Sequence, residues 1–200
     1  MQRFVRKCKV LEMKRYDVVN SLIAKHGYKR YLEIGIALGE CFAKVRCELK
    51  HSVDPTSFAV THRMTSDDFF RDNRLSYDIV FVDGLHTAEQ ALRDINNSLN
   101  CLRTNGSVVV HDCLPTQESH QLRHMVGNAW TGDVWKAFAE LRFTRPDLSM
   151  ATVDCDWGCG IVRYGKQELY PRPPELDWAY FSKNRDSLMA VISEDWFQHG

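Results

Sequence analysis

Residues 77–99, YDIVFVDGLHTAEQALRDINNSL, carry the clearest structural signal in the sequence. The run 77–82 is mainly β-branched and aromatic, which favours a strand buried on both faces of a sheet. From Thr87 to Leu102 apolar residues recur every third or fourth position, which predicts a helix with one apolar face. A buried strand followed by an amphipathic helix is the repeating unit of a parallel sheet covered by helices.

Shorter runs of the same kind lie on both sides of this unit. They predict strands near residues 31–35, 51–53, 61–64, 107–110, 150–153 and 160–163, and helices over 15–25, from about 40, and over 130–142. The last two strands are close enough in sequence to form an antiparallel hairpin. We therefore expect an α/β fold: a Rossmann-like, doubly wound, seven-stranded and mostly parallel sheet with an antiparallel C-terminal hairpin.

A proline-rich segment divides the chain near its end. With 200 residues, of which 44% are hydrophobic, the chain can bury one core but not two. Residues 171–174 read Pro-Arg-Pro-Pro, where neither a helix nor a central strand can continue. We expect one domain over residues 1–165 and an extension over 166–200 that docks on this domain or on a second subunit.

The charges of the chain balance. Lys and Arg number 26, Asp and Glu also number 26, and the formal net charge is +0, so no overall field attracts nucleic acid or anionic lipid. Charges interrupt the first 19 residues, and no later stretch has the ~20 apolar residues that a membrane helix needs. We expect a cytoplasmic protein without nucleic-acid or membrane partners, and a homo-oligomer stays open.

The 7 cysteines form no paired array typical of a zinc site. An odd number of scattered cysteines predicts reduced thiols in a reducing compartment. Cys155 and Cys159 could approach each other across a turn, but core packing is the commoner role for such residues.

Open α/β sheets bind ligands beyond the carboxyl ends of their strands. The loop 33–39, Glu-Ile-Gly-Ile-Ala-Leu-Gly, places glycines there. Asp54, about twenty residues further on, can accept hydrogen bonds from both hydroxyls of a ribose. Ala37 occupies the place of the middle glycine of a pyrophosphate loop, and no cation follows before Lys44. The pattern indicates a nucleoside-containing ligand without phosphate.

Seven segments together resemble the class I S-adenosylmethionine-dependent methyltransferases, in particular the methyltransferase family 24 subgroup, which is similar to catechol O-methyltransferases. They are YLEIGIALGE, HSVDP, TSDDFF, YDIVFVDGLHTAEQALRDINNSL, GSVVVHDCLP, GDVWKAF and VDCDWGCGIV. The resemblance implies cofactor contacts at Glu33, Gly35, Ile36, Gly39, Asp54, Ser66, Asp67 and Asp83. Within this set, Glu33, Gly35 and Gly39 are expected at the methionine part of S-adenosylmethionine, Asp54 at its ribose, and Ser66 with Asp67 at its adenine.

His86 is the candidate catalytic base, and Asp83 the second catalytic residue. S-adenosylmethionine carries its own leaving group, so the protein mainly has to align an acceptor and remove a proton. His86 follows a strand end beside the expected methyl position, and imidazole titrates in the range suited to this task. In an equally weighted alternative, His86 caps the next helix or binds Asp83 structurally.

Asp83 and Asp112 end two strands that we expect to be adjacent. In catechol-type O-methyltransferases, similar positions hold a divalent cation, Mg²⁺ or a similar ion, that acidifies the acceptor hydroxyl. Those enzymes carry Asn after the second Asp, whereas Cys113 stands here and is a poor Mg²⁺ ligand. His86, His111 or water would then complete the shell. Alternatively, both carboxylates accept hydrogen bonds from loop amides.

The segment 117–128 is polar and rich in histidine, which predicts a loop or mobile helix and leaves open whether it closes as a lid. Its histidines are expected to be solvated and not to ligate a metal. Trp130 borders this segment, and among Trp130, Trp135 and Trp157 it is the one most expected to line an acceptor pocket.

Together these features predict an S-adenosylmethionine-dependent methyltransferase that modifies an oxygen of a small hydroxylated acceptor, such as a sugar or polysaccharide precursor. O-methylation and the acceptor class follow from the resemblance alone. Two alternatives use the same sheet. One is an NAD-dependent oxidoreductase, disfavoured because the loop lacks a three-glycine signature. The other is a nucleoside-binding module without catalysis.

Overall fold

The structure is a computed structural model that describes residues 12–127 and 129–200. Cys8 and Asn128, which fall within the sequence features above, lie outside the described residues. The helices are α1 (Arg15–His26), α2 (Glu40–Lys44), α3 (Ser66–Asp72), α4 (Ala88–Asn100), α5 (Val134–Thr144), α6 (Trp178–Leu188) and α7 (Glu194–His199). The strands are β1 (Arg30–Ile34), β2 (Leu49–Val53), β3 (Tyr77–Val82), β4 (Leu102–Val110), β5 (Leu148–Val153), β6 (Cys159–Tyr164) and β7 (Val191–Ile192).

The strands form a single mixed sheet in the order β2-β1-β3-β4-β6-β5-β7. Strands β2, β1, β3 and β4 are parallel to one another. Strand β6 is antiparallel to both β4 and β5, and β7 is parallel to β5. In the parallel part, Ile34 lies opposite Val53 and Val82, and Val82 lies opposite Val110. The predicted fold class is therefore confirmed, and four strands end level with one another at one edge.

The predicted strand over residues 61–64 is wrong. Only His62 joins the sheet, through a single bridge to Val53, and Ser52 with Thr61 pair through their side chains. The stretch has one large apolar residue, Met64, and it is 36% exposed, so a longer strand would bury little. The seventh strand is instead β7, close to the C-terminus.

Helices cover both faces of the sheet. Along β3, Val80 and Val82 pack with α4, α5 and α6, whereas Ile79 and Phe81 pack with α1 on the opposite face. All four side chains are buried, as the β-branched and aromatic run predicts. Gly27 ends α1 in the left-handed conformation that favours glycine.

The C-terminal residues pack on the same body. The rings of Phe181 on α6 and Trp135 on α5 have centroids 4.5 Å apart, and the hydroxyl of Thr152 donates to the Met189 carbonyl at 2.7 Å. Strand β7 then extends the sheet beside β5. Among the helices of residues 12–127 and 129–200, none is long and apolar enough to cross a membrane.

Candidate active site

The loop that follows β1 crosses the loop that follows β3 in close contact at Gly35. Its φ is +78°, and a Cβ atom there would lie 2.1 Å from the carbonyl oxygen of Asp83. Only glycine fits such a contact. The crossing brings the loop after β1 against the loop after β3, so the side chains at the two strand ends share one space.

Two cavities flank this crossing. The larger, about 650 Å³, lies over β2, β1 and β3 and contains six of the predicted site residues: Gly35, Asp54, Ser66, Asp67, Asp83 and His86. The second, about 540 Å³, contains Glu33 and Ile36 and shares Arg15, Gly35, Ala37 and Asp83 with the first. Gly39 borders neither cavity and is the N-cap residue just before α2, and Asp112 lies behind Asp83 and His86.

Asp54 holds the glycine loop in place. One carboxylate oxygen accepts from the backbone N–H and hydroxyl of Thr56 and from the backbone N–H of Ser57, at 2.8 to 2.9 Å. The other accepts from the N–H groups of Ile36 and Ala37 at 3.1 and 3.4 Å. Burial alone would raise the pKa of Asp54, but these hydrogen bonds lower it. A ribose would therefore have to share an already bonded carboxylate.

Glu33 is a buried carboxyl at the second cavity. The hydroxyl of Tyr31 donates to its Oε2. Burial, opposed by this hydrogen bond, raises the pKa of Glu33 to about 7. A group with this pKa gains or loses a proton easily when a charged ligand arrives.

The far end of the larger cavity is built from α3 and α4. The side-chain amide of Gln90 lies 3.1 Å from the Ser66 hydroxyl, 3.2 Å from the Asp67 carboxylate and 3.1 Å from the Asp94 carboxylate. Gln90 lines the cavity, and Asp94 is buried beneath it. Gln90 and Asp94 were not predicted as site residues, because on α4 they look like ordinary positions of an amphipathic helix.

Asp83, His86 and Asp112 meet at the ends of β3 and β4, as sequence predicted. His86 Nε2 lies 3.5 Å from Asp83 Oδ1, and His86 Nδ1 lies 3.2 Å from Asp112 Oδ2. Burial lowers the pKa of His86, but the two carboxylates outweigh burial and raise it above the usual value. The three residues can each direct one ligand atom into a space in which those atoms lie within 4.8 Å of one another.

His111 contacts both carboxylates of this cluster. Its Nδ1 lies 3.2 Å from Asp83 Oδ1 and 3.1 Å from Asp112 Oδ1, and its Nε2 donates to the Asp156 carbonyl at 2.7 Å. Burial disfavours the charged ring, yet the neighbouring carboxylates Asp112 and Asp83 raise the pKa of His111 to about 10. The two carboxylates therefore favour the imidazolium form of the buried His111 ring.

Arg15 and Asp156 were missed by sequence reasoning. Arg15, the first residue of α1, donates to Asp83 Oδ2 at 2.9 Å and to Asp156 Oδ2 at 2.8 Å. Asp156 lies in the turn between β5 and β6 with a φ of +42°. Such a left-handed non-glycine residue is rare and has no reliable sequence signal. These two residues link α1 and the hairpin turn to the cluster.

The charges of this cluster leave room for one more cation. Three carboxylates face Arg15 and the His111 imidazolium, which leaves one negative charge beside His86. Nδ1 of His86 and Nδ1 of His111 are buried without a hydrogen bond, because their directions miss the nearby carboxylate oxygens. The orphaned nitrogen of His86 fits a divalent cation that would take the place of its ring proton, with Asp83 and Asp112 as the other two ligands.

Cys113 does not take part in this cluster. Its thiol points into the apolar core, where it donates to the Val110 carbonyl at 3.4 Å and contacts the space beside Gly160. The residue that replaces the expected Asn thus faces away from the carboxylates. The third residue that can direct a ligand atom into the same space as Asp83 and Asp112 is His86.

The segment that precedes α5 packs on His86. The ring of Trp130 stacks on the imidazole at a centroid distance of 4.8 Å, and Asp133 accepts from the backbone N–H of Ala88 at 2.7 Å, which caps α4. Arg123 donates to Glu89 at 2.8 and 2.9 Å. Trp130 therefore contacts the candidate base but does not border either cavity.

The other aromatic and histidine residues have structural surroundings. Trp135 is fully buried and is a core residue. The expectation that His120 is solvated is wrong: it is buried, its ring packs edge-on against Trp157, and its Nδ1 lies 3.2 Å from the Thr116 hydroxyl. His124 is exposed.

Comparison with known proteins agrees with this geometry. Residues 48–113 match the model of a family described as methyltransferase domain. No match is found among curated proteins.

Several solved structures share the fold. An O-methyltransferase from Bacillus cereus in complex with SAH has a TM-score of 0.55 at 11% identity, over 77% of this chain and 83% of that chain. The O-methyltransferase TomG from Streptomyces achromogenes, solved with SAM, has a TM-score of 0.55 at 16% identity, over 74% and 78%. The N-methyltransferase NodS from Bradyrhizobium japonicum has a TM-score of 0.50 at 18% identity, over 76% and 93%.

These structural similarities establish the fold. The solved structures include O-methyltransferases and an N-methyltransferase. The sequence match to a methyltransferase domain spans β2 to the end of β4, where most of the site residues lie. Residues 48–113 therefore resemble a methyltransferase domain, and the fold of the chain is that of these solved methyltransferase structures.

Proposed function

We propose that the two cavities bind S-adenosylmethionine and that the protein transfers its methyl group to a hydroxyl oxygen of a small acceptor, such as a sugar or polysaccharide precursor. The observation that carries this proposal is the position of His86. It borders the larger cavity and lies within 3.5 Å of both Asp83 and Asp112. A proton acceptor thus stands at one end of a cavity whose other end presents polar groups suited to a nucleoside.

The cavity residues fit the cofactor. The close crossing at Gly35 leaves the backbone exposed to a ligand, and Ser66 with Asp67 would meet the adenine at the far end. Glu33 and Ile36 border the second cavity, where the methionine part would lie. The cofactor would supply a methyl group carried on a sulfonium sulfur, and this sulfur would become a neutral thioether once the methyl group is transferred.

His86 is the residue that accepts the proton. Asp83 and Asp112 orient its ring, and the stacked Trp130 ring fixes its plane. An imidazole can accept a proton only in its neutral form, so its activity as a base increases as the pH rises through its pKa. The His111 imidazolium and Arg15 neutralise part of the carboxylate charge that would otherwise keep His86 protonated.

A divalent cation is the second part of the proposal. Asp83, His86 and Asp112 would hold it, and it would acidify an acceptor hydroxyl when bound. An imidazole ligand favours Mn²⁺ or Zn²⁺ over Mg²⁺, which prefers oxygen. If His86 binds such an ion, it cannot also act as the base, so the two roles of His86 exclude each other.

Calorimetric titration with S-adenosylmethionine, S-adenosylhomocysteine and NAD, each with and without Mg²⁺ or Mn²⁺, tests the cofactor. We expect micromolar binding of both adenosyl sulfur compounds and none of NAD. Asp67→Asn should weaken this binding, whereas the exposed Asp195→Asn in α7 serves as the matched control. Binding of NAD alone would contradict the proposal.

The acceptor atom requires a transfer assay. Incubation with ¹³C-methyl S-adenosylmethionine and panels of sugars, nucleotide sugars, catechols and primary amines should give a new methyl ether signal near the chemical shift of O-methyl carbons. His86→Ala should reduce it about 100-fold or more and leave a measurable residual rate, and His124→Ala, which changes an exposed histidine of the same region, should not reduce it. A product methylated on nitrogen would overturn the O-methylation proposal.

A further inference from the structure

A third cavity, of about 210 Å³, is lined by residues of α1, β5, β6, β7 and α7 and shares no residue with the two cavities of the candidate active site. Ser149 and Ala151 of β5 form one part of its sheet side. Arg163 and Ile161 of β6 lie opposite them in the antiparallel pair. Residues two apart on a strand point to the same face, so these side chains share one face. The small side chains of Ser149 and Ala151 leave room for the cavity there.

The charged side chains of this third cavity are all basic. Lys25, His26 and Arg163 line it, and none of the described residues that line it is acidic. Lys25 and His26 belong to the last turn of α1, where basic side chains offset the partial negative charge of a helix end. Arg163 lies on β6 and has no such role. The arginine is therefore the residue whose charge needs a partner.

Hydrogen bonds hold the Arg163 guanidinium in one orientation. Its Nε donates to the Ser107 hydroxyl at 2.7 Å, and its Nη2 lies 2.8 Å from His26 Nε2. Ser107 is buried, and its hydroxyl lies 2.9 Å from that of Tyr28. A guanidinium can only donate, so His26 Nε2 accepts and the ring proton lies on Nδ1. Burial, together with the charges of Arg163 and Lys25, lowers the pKa of His26, which agrees with a neutral ring.

The positive charge of Arg163 is not compensated by the protein. Within residues 12–127 and 129–200 its side chain bonds only to Ser107 and His26, and neither carries a negative charge. Residues 1–11 and residue 128 include no Asp or Glu, so they cannot supply a carboxylate side chain. Nη1 has no partner among the described residues. A carboxylate matches the donor fork of a half-buried guanidinium better than water does.

The rest of the cavity wall is mainly apolar. It includes Ile161 and Ile192 from the sheet and Trp196 and Phe197 from α7. Trp196 is 58% exposed, which leaves a large aromatic surface in contact with solvent. Benzene fills an engineered apolar cavity of about 150 Å³. A cavity of about 210 Å³ therefore has room for one six-membered ring with a short acidic chain.

We propose that the third cavity is a binding site for a small aromatic carboxylate. The carboxylate would accept hydrogen bonds from Arg163 and from Nδ1 of His26, with Lys25 as a further cation. The ring would pack against Trp196 and Ile161. The site shares no residue with the candidate active site, so it goes beyond the proposed function and its test is independent of that function.

NMR titration of the ¹⁵N-labelled protein tests the site with phenylacetate, with its neutral analogue phenylacetamide, and with acetate, which lacks the ring. We expect phenylacetate to bind at neutral pH with a dissociation constant of about 0.1–1 mM. The shifts should centre on the indole N–H of Trp196 and the backbone N–H of Phe197. Phenylacetamide and acetate should each bind about tenfold more weakly or worse, because one lacks the charge and the other lacks the ring.

Two variants test the two halves of the site. Arg163→Gln removes the charge, and Ala151→Leu fills the cavity without changing a basic residue. Each should weaken phenylacetate binding about tenfold or more. Arg74→Gln, which removes an exposed arginine outside the cavity, is the matched control and should leave the affinity unchanged. Thermal melting confirms that each variant is folded.

Equal binding of phenylacetate and phenylacetamide would overturn the proposal, because the charge of Arg163 would then contribute nothing. Shifts confined to residues of the two active-site cavities would also overturn it, as would the absence of shifts at about 10 mM phenylacetate. An unchanged affinity in Arg163→Gln would mean that the arginine only anchors Ser107 and His26, and the proposal would fail.

Discussion

The two ends of the active site are held together in different ways. At the nucleoside end, Asp54 receives five hydrogen bonds from the loops around it, and Gln90 links three oxygens. At the other end, Asp83, His86 and Asp112 contact one another mainly as charges, and a nitrogen of His86 has no hydrogen bond. The polar groups of the first end have hydrogen-bond partners before any ligand arrives, whereas the second end keeps a buried nitrogen without one.

This difference matches the tasks of the two ends. A pocket that recognises a constant part of the cofactor gains affinity if its groups are already fixed. A reaction centre must exchange a proton, and its groups therefore keep unmatched charges and perturbed pKa values. The strained φ of +61° at Asp112 belongs to the second end. Mutations at the two ends should accordingly affect binding and turnover separately.

Gly35→Ala should have the largest effect, because this crossing joins the two ends. The new Cβ would lie 2.1 Å from the Asp83 carbonyl at a φ of +78°, so both backbones must move. We expect a loss of about 4 kcal/mol or more in the free energy of unfolding. Urea denaturation measures it.

Gly27→Ala is the matched control for this prediction. Gly27 has a similar φ of +66°, but no atom lies within 4 Å of an added Cβ. It should cost only about 1–2 kcal/mol, the strain of the left-handed conformation. Equal losses in both variants would show that the contact with Asp83 is unimportant.

Asp112→Asn should separate turnover from binding. Asn tolerates the left-handed conformation of this position, so the backbone is preserved. The variant removes one of the carboxylates that hold His86 and His111. With the acceptor found by the transfer assay, we expect the rate to fall about 1,000-fold.

Binding of S-adenosylhomocysteine should change less than threefold in Asp112→Asn, since Asp112 borders neither cavity. Asp67→Asn should give the reverse pattern, with weaker binding and a nearly unchanged rate at saturating cofactor. If Asp112→Asn loses binding and turnover to the same extent, the two ends are not independent.

Glu33→Gln should change how stability depends on pH. The folded pKa of Glu33 is raised from 4.5 to about 7 by burial, so the protonated form is favoured in the folded state. Its stabilising contribution is complete below pH 4.5 and is lost as the pH rises through 7. Between pH 5 and pH 8 the native protein should lose about 2–3 kcal/mol relative to Glu33→Gln.

Denaturation series at several pH values measure this difference. Glu40→Gln, at an exposed position that begins α2, is the control and should follow the native protein. Parallel curves for the native protein and Glu33→Gln would mean that Glu33 titrates like an exposed carboxyl.

The sequence predicted most of this architecture because the signals were local. The run 77–82 forms β3, and the ends of neighbouring parallel strands must meet, which placed Asp83 beside Asp112. The strand over 61–64 failed because that stretch has no apolar face to bury. The two-residue strand β7 was too short for any periodicity to reveal.

The missing site residues depend on tertiary packing. Arg15 approaches Asp83 only because α1 packs on the face of β3, and Asp156 enters because the β5–β6 turn adopts left-handed conformations. Neither position has a distinctive local pattern. Trp135 is buried in the core, whereas Trp130 stacks on His86 and borders neither cavity, so the predicted role of Trp130 in an acceptor pocket stays a prediction.

The pH dependence of methyl transfer should decide which role His86 has, and it is the smallest predicted effect. Because Asp83 and Asp112 raise the pKa of His86, the ring is more protonated at pH 6.5 than a free imidazole. If His86 is the base, the rate should rise about tenfold from one pH unit below this pKa to well above it. His86→Ala should remove the dependence.

If His86 instead binds a divalent cation, protons and the cation compete for the same nitrogen. The midpoint of the rate profile should then move to lower pH as the Mn²⁺ concentration increases, whereas a pure base gives a midpoint independent of Mn²⁺. Asp112→Asn provides the internal check, because removing this carboxylate lowers the pKa of His86 in either case. A profile that is flat in the native protein would exclude His86 as the titrating group.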